Sequence, residues 1–360
     1  MKITKLRTLP VQVPLAKPIR TAIHHIASAG CLLVLLETDA GIVGESLLFT
    51  LNGKRLGLLD EMVRSLEPLV VGSDPDFVER FWSAALADTN FVGQSGVPVF
   101  GIAALEGALW DIRGKEAGKP IYRLLGAYSN RIPIYASGGL WLSQSIDELV
   151  AETERFRAAG FRAMKMRLGS PDVAADIERV RAVRAAVGPD IALMADANQG
   201  LTVDRAIRLG RLLEEFDLAW FEEPLPAYDH EGEAAVAAAL DTPIASGETE
   251  YTRYGFRRML ELKSADVLMP DFERVGGVSE FVKVAHMARA YDVPVSSHIF
   301  SEMSLQILGA LSNASYLEHM PWFEPLYGAA IEIENGLAVV PEAPGWGFSF
   351  DMKAAERFRA

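Results

Sequence analysis

The chain has 360 residues, half of them apolar and 23% charged, and its 30 glycines and 19 prolines are scattered, which excludes a disordered or fibrous protein. Its formal charge of −13 and the lack of a Lys/Arg-dense run argue against nucleic acid and anionic membranes as partners. One cysteine, Cys31, in the apolar run Cys31–Leu36, excludes an intrachain disulfide and suits a reducing cytoplasm. The charged start and the absence of an 18-residue apolar stretch predict neither a signal peptide nor a membrane span.

Residues 1–125 read as an α+β domain. Leu33–Thr38 and Ile42–Leu48 flank a turn at Asp39–Gly41 and predict a hairpin. Further on, Ile102, Leu105, Leu109 and Ile112 recur at helical spacing, with a stop at Gly118–Pro120. From Gly126 to about 330, eight short apolar runs follow one another: Ile132–Ala136, Ala163–Leu168, Ile191–Ala195, Leu218–Phe221, Pro243–Ser246, Asp266–Met269, Val293–Ser297 and Ser315–Leu317. The seven gaps are read as helices of ten or more residues, for instance Asp172–Val187 and Val278–Tyr291, and nothing helical follows the eighth run. This rhythm predicts a closed parallel α/β barrel lacking its last helix. An open doubly wound sheet is the rival, but no Gly-x-Gly-x-x-Gly follows the first strand. Residues 331–360 read as a segment packing back on the first domain.

The C-terminal ends of these runs carry ionisable or amide groups: Lys165 and Arg167, Asp196 and Asn198, Glu222, Glu248, Asp271, His298 and Glu318. In a barrel those ends share one face. Asp196, Glu222 and Glu248 on successive strands would repel unless neutralised, and a hard divalent cation with oxygen ligands, Mg2+, is the simplest neutraliser. Pairing with arginine or helix capping is the plainer alternative. Lys165 and Arg167, two apart, share a face of their strand, so Arg167 should lower the lysine's pKa and make the amine a usable base. Asp271 next to His298 would fix the ring's tautomer. Glu318, if protonated, could donate to a developing oxyanion, or could be a surface acid. Such a set suits abstraction of a proton α to a carboxylate, giving an enediolate.

These residues sit in motifs that resemble the mandelate racemase subgroup of the enolase superfamily: Val13-Pro-Leu, Thr21, Ala108–Lys115, Asp196-x-Asn198, Phe221-Glu-Glu-Pro224, Gly247-Glu248, Met269-Pro-Asp271, Gly276-Gly-Val278 and Ser296-Ser-His298. The resemblance spans essentially the whole chain. It implies a modified TIM barrel, (β/α)7β, under an N-terminal α+β capping domain. It further implies Mg2+ on Asp196, Glu222 and Glu248, Lys165 as one acid/base, the Asp271–His298 pair as the other, and Glu318 as electrophilic donor. It departs at Arg167, where mandelate racemase has a second catalytic lysine, which counts against racemisation. By the same resemblance the capping loop sets specificity, and Arg20, His24, His25 and Asn52 there suggest a polyhydroxylated or charged substrate. The leading expectation is dehydration of an acid sugar to a 2-keto-3-deoxy acid. The alternatives are a racemase or epimerase of a 2-hydroxy acid and, remotely, a non-catalytic binding barrel. The implied partners are a small carboxylate and further copies of the chain, as an octamer or dimer by analogy.

Overall fold

A computed structural model describes residues 1–360. Three antiparallel strands open the chain: β1 (Ile3–Arg20), β2 (His25–Thr38) and β3 (Val43–Leu51), in that spatial order. The β2–β3 hairpin turns where Gly41 takes a left-handed conformation, φ 77°. Nearly all of β2 is buried, because a helix, Val97–Ala117, covers the sheet. Its stripe Ile102, Leu105, Leu109 and Ile112 is fully buried. Contact is so close at Gly44 that a Cβ there would stand 2.2 Å from the Ala108 carbonyl oxygen. The helix's Gly107 meets Phe272 across the cap–barrel boundary, so the helix is buried on more than the sheet-facing side.

The barrel strands are β4 (Arg131–Ala136), β5 (Ala163–Arg167), β6 (Ala192–Asp196), β7 (Trp220–Glu222), β8 (Ile244–Ser246) and β9 (Val267–Leu268), parallel and neighbouring in that order. The seventh position is held by bridges Leu268–Val295 and Asp271–His298. β10 (Leu317–His319) then pairs in parallel with β4, which closes the ring. Each of the eight predicted runs supplies one barrel position. Helices of ten to fifteen residues fill the first six gaps. The seventh departs from expectation, with a helix of only eight residues, Ser301–Leu308. All eight are buried, and Gln306 bonds both the Tyr122 amide and the Pro341 carbonyl, so this helix is wedged inside the molecule.

Inside the barrel, Tyr135, Met194, Trp220, Val267 and Met269 form a packed plug with the Tyr135 and Trp220 rings edge to face at 5.4 Å. The site above has a solid floor. After β10 a small hairpin, β11 (Ile333–Glu334) and β12 (Leu337–Val339), adds antiparallel to β4. The chain then reaches the cap, where the Trp346 amide donates to Asp111 Oδ1 at 3.0 Å and the Gln12 amide donates to the Phe358 carbonyl at 2.7 Å. No helix is long and apolar enough to cross a membrane.

Candidate active site

Sheet register brings the strand ends level. Arg167 lies opposite Asp196, and Asp196 opposite Glu222. Just beyond three of these positions the backbone turns left-handed at non-glycine residues: Asn198 (φ 43°) after Asp196, Glu223 (φ 37°) after Glu222, and Ile299 (φ 42°) after His298. Such conformations cost of the order of 1–3 kcal/mol each and cluster where side chains must be aimed. Before Glu248, Gly247 (φ 119°) leaves no room for a Cβ, which would stand 2.7 Å from Phe256.

Lys165, Arg167, Asp196, Asn198, Glu248, His298 and Glu318 line one cavity of about 100 Å3 below the cap. Glu222 and Asp271 stand behind it, bonded to members of its wall. The Lys165 ammonium, 1% exposed, pairs with Glu222, lies 2.9 Å from Glu318 Oε1 and lies 3.5 Å from Asp196 Oδ2. Burial pulls the lysine's pKa down, but Glu222, Glu318 and Asp196 outweigh it and hold the amine protonated. The lowering expected from Arg167 is therefore corrected: one neighbouring cation loses to three anions. Arg167 itself donates to the Ser137 carbonyl at 2.6 Å and Ser137 Oγ at 2.8 Å, and its guanidinium stacks 4.1 Å over Trp141.

Glu318 is also corrected. It accepts from Ser137 Oγ and the Ile299 amide, both at 2.6 Å. Burial would raise its pKa, but Lys165, His298 and Arg167 take it well below the usual carboxylate range, so here it is an ionised acceptor and not a protonated donor. His298 Nδ1 sits 2.7 Å from Asp271 Oδ2, as expected, and its Nε2 faces Glu248 Oε2 at 3.3 Å. Burial lowers this imidazole's pKa, yet Glu248, the Asp271 hydrogen bond and Glu318 push it up to about 9. Asp271 is itself fixed by the amides of Glu273 and Arg274, both at 3.0 Å.

The three carboxylates expected to share a cation do not converge on one point. Asp196 and Glu222 share the Lys165 ammonium, while Glu248 turns to His298. The plainer alternative of pairing with arginine is thus partly realised, since Asp196 Oδ2 also lies 3.7 Å from Arg167 Nε, and lysine adds a second such pairing. The donor set nevertheless fits a hard cation, because Asp196, Glu222 and Glu248 offer carboxylate oxygens, and the ammonium paired with two of them is held only by carboxylates among its ion pairs. Burial, with the charges of Asp196, Glu318 and Glu248, pushes the Glu222 carboxyl up to about 8 even with Lys165 beside it. The cluster lacks positive charge.

The cap loop departs most from expectation. Only His24 of the four residues reaches the cavity. Arg20 pairs in register with His25 at the end of the β1–β2 ribbon, and both are exposed outside the cavity. Asn52 (φ 58°) accepts from the Ala27 amide at 2.7 Å and donates to the His25 carbonyl at 2.9 Å, which makes it a turn residue. The cap instead presents Thr21, Ile26, Phe49 and Leu51. Five further residues of the wall were not singled out from sequence: Arg274, Trp141, Trp322, Ile299 and Met320. Arg274 Nη1 lies 3.2 Å from the Glu248 carbonyl and 3.3 Å from Asp271 Oδ2. Its place three residues after Asp271, within one helical turn, was the available signal. Trp141 and Trp322 belong to segments beyond the first and eighth strands, where a bulky aromatic past a strand end was the clue.

Residues 3–126 match the family described as mandelate racemase / muconate lactonizing enzyme, N-terminal domain, and residues 148–354 match enolase C-terminal domain-like. The L-talarate/galactarate dehydratase of Salmonella typhimurium is 36% identical over 79% of this chain and 72% of its own length. Among solved structures, the L-talarate dehydratase of Polaromonas sp. JS666 complexed with Mg and L-glucarate superimposes with TM-score 0.95, 33% identity and coverage of 100% of this chain and 97% of that one. A racemase from Streptomyces coelicolor A3(2) with bound magnesium superimposes with TM-score 0.96 at 30% identity, covering 99% and 100%. With both halves matched and the barrel closed under its cap, the chain belongs to the mandelate racemase/muconate lactonizing enzyme family of the enolase superfamily.

Proposed function

We propose that this chain is a Mg2+-dependent dehydratase of acid sugars, in which residues 1–125 cap a barrel of residues 126–330 and residues 331–360 return to the cap. The observation that carries the reading is the placement of two proton-transfer groups on one cavity: Lys165 on β5 and His298 at the seventh position, with the β4 and β10 positions between them around the ring. Held by Asp196, Glu222 and Glu248, Mg2+ would neutralise two of the three acids that now keep Lys165 as an ammonium, Asp196 and Glu222, and would stabilise negative charge on the substrate carboxylate.

Lys165, once its ammonium proton has passed to water, takes the α-proton, leaving the substrate as its enediolate. His298 Nε2 then gives its proton to the β-hydroxyl as that C–O bond breaks and water departs. The resulting enol tautomerises to the 2-keto-3-deoxy acid. The Asp271 hydrogen bond, which favours the charged imidazole without involving a metal ligand, suits His298 to the acid role. Asp271 holds Nδ1, so only Nε2 is available to the substrate. The names of the similar dehydratases support this reading, as do Thr21, His24, Asn198 and Arg274, the polar groups available to substrate hydroxyls.

Racemisation is the competing reading, favoured by the similar racemase and by the two proton-transfer groups. Against it, the position of the second lysine holds Arg167, locked on Ser137 and Trp141, and a guanidinium does not serve as a general base. Proton NMR of the Mg2+-loaded protein in D2O with mono- and diacid sugars decides between them. Dehydration gives a keto product with deuterium at the former β-carbon. Exchange or inversion at the α-carbon without a keto product would overturn the proposal.

A further inference from the structure

Beside the catalytic cavity lies a cleft of about 1100 Å3, between the cap segment Val13–Ile19 and the barrel segments that follow β4 and β10. The cap segment bulges because β1 loses its register with β2 between Pro14 and Ile19, where two prolines, Pro14 and Pro18, cannot donate to the ladder. Trp141 and Trp322 line both the cleft and the cavity. Their rings stack at 6.2 Å with 15° between planes, and both are buried, at 6% and 9% exposure. Each ring is braced from the catalytic side, Trp141 by the Arg167 guanidinium at 4.1 Å and Trp322 by Phe49 at 5.5 Å. The pair is a fixed partition between two spaces of very different size.

Ligand sites commonly measure about 300–1,000 Å3. The cavity measures about 100 Å3 against about 1100 Å3 for the cleft, so of the two spaces only the cleft has room for a second sugar ring. We infer that the Trp141–Trp322 pair is the size filter of this enzyme: it ends the substrate pocket, restricts turnover to short unsubstituted acids, and shuts out acids whose distal end carries a further ring. This rests on reading the cavity as the site of a sugar acid. Trp322 is the residue to vary, since Trp141 also braces Arg167.

The test compares wild type, Trp322→Ala and Trp322→Phe, all loaded with Mg2+, on gluconate, on hexaric acids and on gluconate bearing a galactosyl group at its distal O6 (melibionate). Turnover is followed by keto-acid formation and binding by calorimetry. Removing the partition should raise kcat/KM or affinity for the glycosylated acid by about tenfold or more, while Trp322→Phe keeps the wild-type preference. Parallel losses for short and long acids, or an unchanged preference, would overturn the filter. Should the alanine variant not fold, Trp322→Leu gives the same comparison. A wild type that dehydrates no acid defeats the proposed function, while the calorimetric comparison still decides the filter.

Discussion

The barrel mouth and the tip of the cap both carry ionisable groups, yet they are built on opposite terms. At the mouth, Lys165, Asp196, Glu222, Asp271 and Glu318 are each no more than 1% exposed, and each is held by partners at other barrel positions. At the tip, Arg20 and His25 are exposed, and Asn52 bonds the backbone of its own hairpin. Sheet register dictates where a strand-end side chain points, since alternation along a parallel strand leaves one choice of face. A hairpin tip has no such constraint, and its polar groups are satisfied locally or by water. Groups of the first kind should tolerate no change, and those of the second almost any.

The largest effects belong to the mouth. Stripping the metal with EDTA should abolish turnover and adding Mg2+ should restore it. Glu248→Gln should lose most of its Mg2+ affinity by calorimetry, and unchanged binding would remove Glu248 from the ligand set. Lys165→Ala and His298→Asn should each cost about a hundred- to ten-thousand-fold in kcat. Their residual chemistry should differ. His298→Asn retains α-proton exchange in D2O without dehydration, whereas Lys165→Ala loses the exchange as well. Equal loss of exchange in both variants would reverse or merge the two assignments.

Next comes the joint that sets cap against barrel. Glu106, fully buried on helix Val97–Ala117, accepts from the amides of Val278 and Ser279 at 2.8 and 2.9 Å, from Ser279 Oγ at 2.5 Å and from the Trp110 indole at 2.8 Å. The two amides open the barrel helix Val278–Ala290, so one cap carboxylate satisfies orphan donors of a barrel helix. Gly277 is required beside it, since a Cβ there would stand 2.3 Å from Glu106 Oε2. Glu106→Ala leaves several buried donors unpaired and should cost about 3 kcal/mol by urea denaturation. Glu106→Gln keeps one acceptor and should cost less. A stability within about 0.5 kcal/mol of wild type for the alanine variant would show that the joint is held elsewhere.

The same contrast governs what the sequence made legible. Eight runs spaced by one βα unit gave the barrel, because a parallel strand buried on both faces is written as a continuous apolar run. The ionisable residues after those runs marked the mouth for the same reason. The charge state within the mouth was not legible. Lys165 and Arg167 are neighbours in sequence, but the fold surrounds the lysine with Glu222, Glu318 and Asp196 from three other strands, and those long-range charges reverse the local argument. In the cap loop, polarity does not translate into orientation toward the cavity, which Arg20, His25 and Asn52 do not line. Only His24 turns inward there, beside Thr21, whose Oγ1 accepts from the His24 amide at 3.0 Å.

Within the cap tip the expected effects are smaller and divide its residues. His24 lines the cavity together with Glu248 and Arg274, the two charges acting on its imidazole. His24→Ala should raise KM several-fold with little change in kcat, as fits a group binding ground state and transition state alike. Arg20→Ala and His25→Ala should leave both constants within about twofold, since neither side chain reaches the cavity and exposed substitutions away from special features usually stay within about 0.5 kcal/mol. A large rise in KM for either, measured on the acid that wild type turns over best, would mean that the tip folds inward over bound substrate. The cap would then owe its selectivity to closure, and exposure of Arg20 and His25 would describe only the open state.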